Sequence, residues 1–303
     1  MKVQPDFPLD QTEVPPASGL PPLTLAEVLA DIRQLPSLPA VVGELIRTLD
    51  NESAGIDQLA EGIAKDQSLA ARALRVANSP FYGIQHKVSS IHDAIVILGF
   101  RAVGSLVMAA SVTGYFTPPR DVPFNLDHFW RHGIGTALCA RALARHAGLD
   151  TEAGFSAGLL HDIGVLMLLT TRPEHYAGVL AYRDEHDCHV PEAERAILGF
   201  DHAQAGEALT SRWRFPLEIV RAVALHHAPA GHLENYLAAS LADVVHVANI
   251  LAHALDLAGS PTALVPPLDS GAWRRLRLDA ASVKALLPGI EQEHESYCAL
   301  LAA

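Results

Sequence analysis

The chain has 303 residues, 50% of them hydrophobic and 18% charged, with a formal net charge of -12 at pH 7. Such an apolar share excludes a disordered chain and suffices for one large core or two smaller ones. The acidic balance argues against a general nucleic-acid binder, because phosphate contacts need clustered Lys and Arg.

The densest basic group is "WRRLRL", Trp273 to Leu278, which reads as a solvated helix face or a dock for an acidic partner. No apolar run is expected to reach the roughly eighteen residues of a membrane span. The N-terminus "MKVQPDFPLD" has neither the charged start nor the apolar stretch of an export signal. A cytoplasmic location and no membrane partner are therefore expected. Cys139, Cys188 and Cys298 are isolated and odd in number, so the expectation is inert thiols without disulfide or thiolate metal site.

Residues 1–23 carry prolines at 5, 8, 15, 16, 21 and 22 and few large apolar groups, the composition of a flexible tail. From Thr24 the text is helical. "LAEVLADIRQL", "PAVVGELIRTLDN", "IDQLAEGIAKD" and "QSLAARALRVANS" repeat apolar residues at spacings of three and four. Ser90 with Asp93 three residues later forms a capping pair ahead of "AIVILGF". No strand pattern is present, so the fold class is all-α. "FTPPRDVPFN", Phe116 to Asn125, interrupts with three prolines and separates a first helical half, 24–120, from a second, 121–260. The second half continues at helical period through "LDHFWRHGIGTALCARALARHAG", "AGFSAGLLHDIGVLMLLT", "AERAILGFDHAQAGEALTSRW", "PLEIVRAVALHH" and "LAASLADVVHVANILAHAL". Residues 261–303 read as a C-terminal helical extension. In "HGIGTALC" the third glycine of a dinucleotide fingerprint is Leu138 and no strand precedes it, so that motif is rejected.

Chemistry concentrates in the second half. The chain has three His-Asp doublets, His92-Asp93, His161-Asp162 and His186-Asp187, so the doublet alone decides nothing. Only the second lies among further ligand-type residues on successive helical segments: His132, His161 with Asp162, His202, His226 with His227, and Asp243. Bundle helices can each aim one such side chain at a shared interior point. Imidazole with carboxylate and no cysteine favours iron or manganese, with zinc a further option, as one or two divalent ions. Adjacent helical residues point about 100° apart, so His226 and His227 are expected to serve differently, as ligands of two ions or as one ligand and one outer donor. His128 lies one turn before His132 and is a further candidate. His146, His175, His186, His189, His232, His246, His253 and His294 are read as surface or packing residues.

The chain resembles the HDOD domain family, the HD-related output domain of bacterial signalling proteins. The resemblance runs through "LPSLPAVVGELIRTL", "IAKDQSLAARALRVANSPFYG" and "SSIHDAIVILGFRAV", then "FWRHGIGTALCARALA", "AGLLHDIG", "LGFDHAQAGEALTSRW" and "IVRAVALHH". It implies a multi-helix fold with an N-terminal helical bundle and a C-terminal half related to the HD superfamily of metal-dependent phosphohydrolases. Position by position it implies metal binding by His132, His161, Asp162 and Asp243, with His202, His226 and His227 matching the extra histidines of the cyclic-dinucleotide phosphodiesterase branch. Two departures stand out: Val165 replaces the lysine that follows "HDIG" in many active members, and "APAGHLENY" after His227 lacks the signature of the cyclic-di-GMP enzymes. The function implied is a signalling output or adaptor protein acting through protein partners, without efficient catalysis and with a nucleotide as conceivable ligand. The alternative is a metal-dependent phosphohydrolase acting on a nucleotide or cyclic dinucleotide, with His161 and Asp162 holding the catalytic metal.

Overall fold

A computed structural model describes residues 23–34, 87–100, 121–229, 238–260 and 264–301, with scattered positions between 60 and 119. The tail expected at 1–23 lies outside the described residues except for Leu23, as do most of the first-half motifs and "APAGHLENY" after its first two residues. Among the described residues there are thirteen helices and no strands. The first half contributes α1 (Leu25–Gln34) and α2 (Ile91–Leu98). The second contributes α3 (Leu126–Ala147), α4 (Thr151–Leu160), α5 (Ile163–Thr171), α6 (Pro173–His186), α7 (Val190–Leu198), α8 (His202–Arg212), α9 (Leu217–Leu225) and α10 (Leu241–Ala254). Three closing helices follow: α11 (Ser270–Arg275), α12 (Ala280–Leu286) and α13 (Ile290–Leu301).

Local chemistry sets many of these boundaries. Ser90 accepts from the Asp93 backbone N–H at 3.0 Å and starts α2, as its sequence pattern indicates. Asn125 caps α3 by accepting from the His128 N–H, and Gly148 ends that helix in the left-handed region at φ 70°. Side-chain oxygens at these ends satisfy donors that a helix N-terminus otherwise leaves bare. Asp150 does the same for α4, and capping boxes of Asp201 with Gln204 and Ser240 with Asp243 start α8 and α10.

α3 is the central rod, packed against α4, α10 and α13, while α5 packs on α8, α8 on α9 and α9 on α10. One buried cluster joins first-half residues such as Val28, Ile63 and Ile95 to Leu166, Leu168, Leu209 and Val223 of the second half. Phe116, in the proline-rich break, is part of it and lies 6.3 Å from the Trp213 ring. A second cluster unites α3 and α10 with Ala272, Leu276, Ile290 and Tyr297 of the closing helices, which therefore share the core of the second half.

The "WRRLRL" stretch is accordingly no simple solvated face. Leu276 and Leu278 are buried and Arg275 turns inward onto Asp243. The segment Thr151–Thr171 also departs from expectation: with mean hydropathy 1.5 it is long and apolar enough to cross a membrane by length and composition, yet 83% of it is buried within the protein. Cys139 and Cys298 are buried free thiols pushed up to about 12 by burial.

Candidate metal centre

The apolar run containing His161 and Asp162 is two helices. His161 is the C-cap of α4 and Asp162, at φ -97° and ψ 12°, is the residue before α5. The break at this junction lets both neighbours face the same interior point, which one continuous helix would forbid. Asp162 makes no helix-capping hydrogen bond. Its carboxylate instead faces imidazoles on both sides. Oδ2 lies 3.3 Å from His161 Nε2 and 3.8 Å from His132 Nε2, and Oδ1 lies 3.0 Å from His202 Nε2 and 3.5 Å from His226 Nε2.

A helix end also explains the second doublet. α9 stops at Leu225 with His226 as its C-cap, so the divergence expected for neighbours inside a helix does not apply to His226 and His227. Their rings lie 3.8 Å apart, and both join His202 in one group of ligand atoms lying within 4.8 Å of one another. His132, His161 and Asp162 form a second such group. His132, inside α3, is the one imidazole of this cluster not at or beside a helix end.

Hydrogen-bond partners assign the ring protons, since a carbonyl can only accept. His161 Nδ1 donates to Gly158 O and His226 Nδ1 to Val223 O, both at 2.7 Å. Their Nε2 lone pairs are thereby aimed into the cluster, and the buried His226 Nε2 has no hydrogen-bond partner. His161 Nε2 and His132 Nε2 stand 3.2 Å apart, and His202 Nε2 and His227 Nε2 2.9 Å apart. Electron pairs converging on a carboxylate at these separations need protons or a cation between them. The donor set therefore fits a divalent cation of the nitrogen- and oxygen-binding class.

The electrostatics have the same pattern. Burial holds His226 down to about 4, and burial with neighbouring histidines holds His132 and His227 well below the ordinary imidazole value. Burial also acts to lower His202, but Glu194 and Asp162 outweigh it and raise His202 well above that value. Burial alone would raise Asp162; His161 and His202 reverse it and hold the carboxyl well below the usual range.

The structure brings together His132, His161, Asp162, His202, His226 and His227, but not Asp243. Asp243 is 1% exposed, accepts from Arg275 Nε at 3.0 Å and from Arg275 Nη2, and closes the capping box with Ser240. Its carboxylate is spent on that pair and on the start of α10. The pattern Ser-x-x-Asp before an apolar run was the signal for that role. On the same helix, Asn249 acts to raise His132 against its burial, and the His253 ring lies 4.4 Å from the His132 ring. Their spacing of four places them on one face, which could have identified them. His246, read as packing, donates from Nδ1 to His226 O at 2.8 Å and accepts from the Asp269 N–H at 2.9 Å. Glu194 and Tyr176 were also missed. Tyr176 donates to Glu194 at 3.0 Å, and Glu194 accepts from His202 Nδ1 at 2.6 Å.

A cavity of about 440 Å³ is lined by Asp162, His132, His202, His226, His227 and Asn249 of the cluster and by apolar residues that include Phe124, Phe129, Leu180, Val190 and Pro266. His128 contributes to its wall. Its lining includes no lysine among the described residues, and its two arginines, Arg183 and Arg195, pair with Asp184 and Asp201.

Comparisons with known proteins agree with this architecture. The fold is shared with an HDOD domain protein of unknown function from Geobacter sulfurreducens, at TM-score 0.74 and 24% identity over 91% of this chain and 99% of that one. A candidate phosphohydrolase from Shewanella amazonensis SB2B aligns at TM-score 0.73 and 26% identity over 91% and 98%. A curated but uncharacterized protein of Treponema pallidum (strain Nichols) is 24% identical over 206 residues, which span 67% of this chain and 40% of that protein. Ribonuclease Y of Thermus thermophilus is 31% identical over 99 residues, 33% of this chain and 12% of that protein. The family model described as the HDOD domain matches residues 35–229, which include every residue of the histidine cluster, and the chain belongs to the HDOD domain family.

Proposed function

We propose that this HDOD protein is a signalling output module that holds one or two divalent cations, iron or manganese in preference to zinc, in the cluster around Asp162, and acts through protein partners in the cytoplasm without efficient turnover. The observation that carries the reading is the two-sided environment of Asp162, whose two oxygens each face a separate set of imidazoles. His132, His161 and Asp162 would hold one cation and His202, His226 and His227 the other, with Asp162 between them. A bound cation would supply Lewis acidity and a hydroxide source at neutral pH. The division into a first helical half, 24–120, a metal-holding half, 121–260, and a closing extension, 261–303, belongs to the same reading.

Phosphate-ester hydrolysis also needs cationic groups to neutralise developing charge. Val165 stands where that lysine is found in many related enzymes, the cavity arginines already have carboxylate partners, and Asn249 offers only a neutral amide. These features support weak or absent turnover. A phosphohydrolase acting on a nucleotide is the second reading, favoured by the cavity that the cluster lines in part.

Elemental analysis of the purified protein beside His161→Ala and Asp162→Ala tests the first reading. Stoichiometric cation in the wild type, falling at least tenfold in both variants, is expected; equal trace content in all three overturns it. Incubation with a nucleotide panel plus manganese or ferrous iron under reducing conditions tests turnover. Product formation that disappears in Asp162→Ala overturns the noncatalytic role.

A further inference from the structure

The three Nδ1 contacts just described are not equivalent. His161 and His226 each lean on a neutral backbone carbonyl. His202 leans on Glu194, a side chain with no solvent exposure. Glu194 is surrounded by donors: Oε2 accepts from the His202 backbone N–H at 2.8 Å and from His202 Nδ1 at 2.6 Å, and Oε1 accepts from the Tyr176 hydroxyl at 3.0 Å. A buried group with only donors about it is a carboxylate, and three of them fix its orientation. The elements make this rigid. Tyr176 comes from α6 and Glu194 from α7, and the turn through Gly199 at φ 81° brings His202, first residue of α8, back over Glu194.

Resting on the metal-holding reading, we infer that Glu194, oriented by Tyr176, is a positioning residue that makes the subsite of His202, His226 and His227 the tighter of two, so that it fills first. A carboxylate behind a ligating imidazole fixes its tautomer and makes the opposite nitrogen a stronger electron-pair donor. The other subsite has no such support. His132 Nδ1 is buried without a hydrogen-bond partner, and its Nε2 contacts are His161 at 3.2 Å and Thr136 Oγ1 at 3.4 Å. Among the described residues no carboxylate is hydrogen-bonded behind either of its imidazoles, apart from the Asp162 that both subsites share.

Titration of the metal-free full chain with Co2+, followed by visible absorption and by competition with a chelator, tests this. Two separable steps are expected. His227→Gln removes the tighter step and His132→Gln the weaker. Glu194→Gln weakens the tighter step by about tenfold to a hundredfold and leaves the weaker within about threefold, with a changed absorption spectrum for the first ion. Tyr176→Phe acts in the same direction and more mildly, and it serves alone if Glu194→Gln does not fold by circular dichroism. Two steps that neither variant changes, equal weakening of both steps, a single step, or first filling at the His132 side overturn the inference while leaving cation binding intact. No Co2+ bound by the wild type overturns the metal-holding reading as well.

Discussion

Asp243 and Asp162 are both carboxylates from helix ends in an apolar setting, and their partners separate their roles. Asp162 faces four imidazoles, whereas Asp243 faces Arg275 and Ser240. Removing one member of a buried ion pair strands the other charge and costs about 3–5 kcal/mol. Asp243→Ala is therefore expected to lower unfolding free energy by about 3 kcal/mol, read by urea denaturation, with cation content per folded chain unchanged. Lost cation with unchanged stability would make Asp243 a ligand after all. Residue type and helical placement were enough to pick six residues that the structure brings together. Asp243 lies apart from them, and the sequence could not show this because a capping acid and a ligating acid have the same letter and its partner is an arginine 32 residues away in sequence.

The glycine of the "HDIG" stretch has its reason at the scale of packed helices. A Cβ on Gly164 would stand 2.8 Å from Gly206 N and 2.9 Å from the His202 carbonyl carbon, with the carbonyl oxygen closer still. α5 thus crosses the first turn of α8 with no room for a methyl group. Gly158 does likewise between α4 and α3, where a Cβ would meet Ala137 Cα at 2.8 Å. Overpacking of this kind costs about 1–3 kcal/mol, and at Gly164 the strain falls on the backbone of a cluster histidine. Gly164→Ala is expected to lower stability by about 2 kcal/mol and to weaken cation binding at the His202 side more than at the His132 side. Gly158→Ala serves as comparison, and equal effects of the two on both sides would remove this explanation. The helices themselves were legible from their apolar spacing. The break at His161-Asp162 was not, because Gly158 to Leu169 is apolar all round and periodicity has no polar face to lose there. α9 is amphipathic, but its end at Leu225 falls on the His226-His227 doublet itself, where apolar spacing has nothing left to read, and with it fell the convergence of the two.

Across the whole molecule, the cluster makes folding and proton binding interdependent. His132, His226 and His227 are held below the ordinary imidazole value by burial, His226 to about 4. An unfolded histidine titrates near 6.5. Above that pH neither state of these three groups binds extra protons. Below about 6.5 the unfolded chain takes up protons that the folded chain refuses, down to about 4 for His226, so stability falls as pH falls through that window. His202 opposes this. Its raised value gives stability below about 6.5 that is lost as pH rises. His246, His253 and His294 are also lowered by burial, so six lowered histidines stand against the raised His202 and Glu293, the latter pushed up to about 7 by burial, and leave a net acid sensitivity for the metal-free protein. Its urea midpoint is therefore expected to drop from pH 7 to pH 5, and His226→Gln is expected to flatten that dependence. Added divalent cation should raise the pH 7 midpoint more than the pH 5 midpoint, because protons and cation compete for the same nitrogens. A midpoint that is level between pH 7 and pH 5, or one that cation raises equally at both, would show that these buried imidazoles do not govern the stability of the fold.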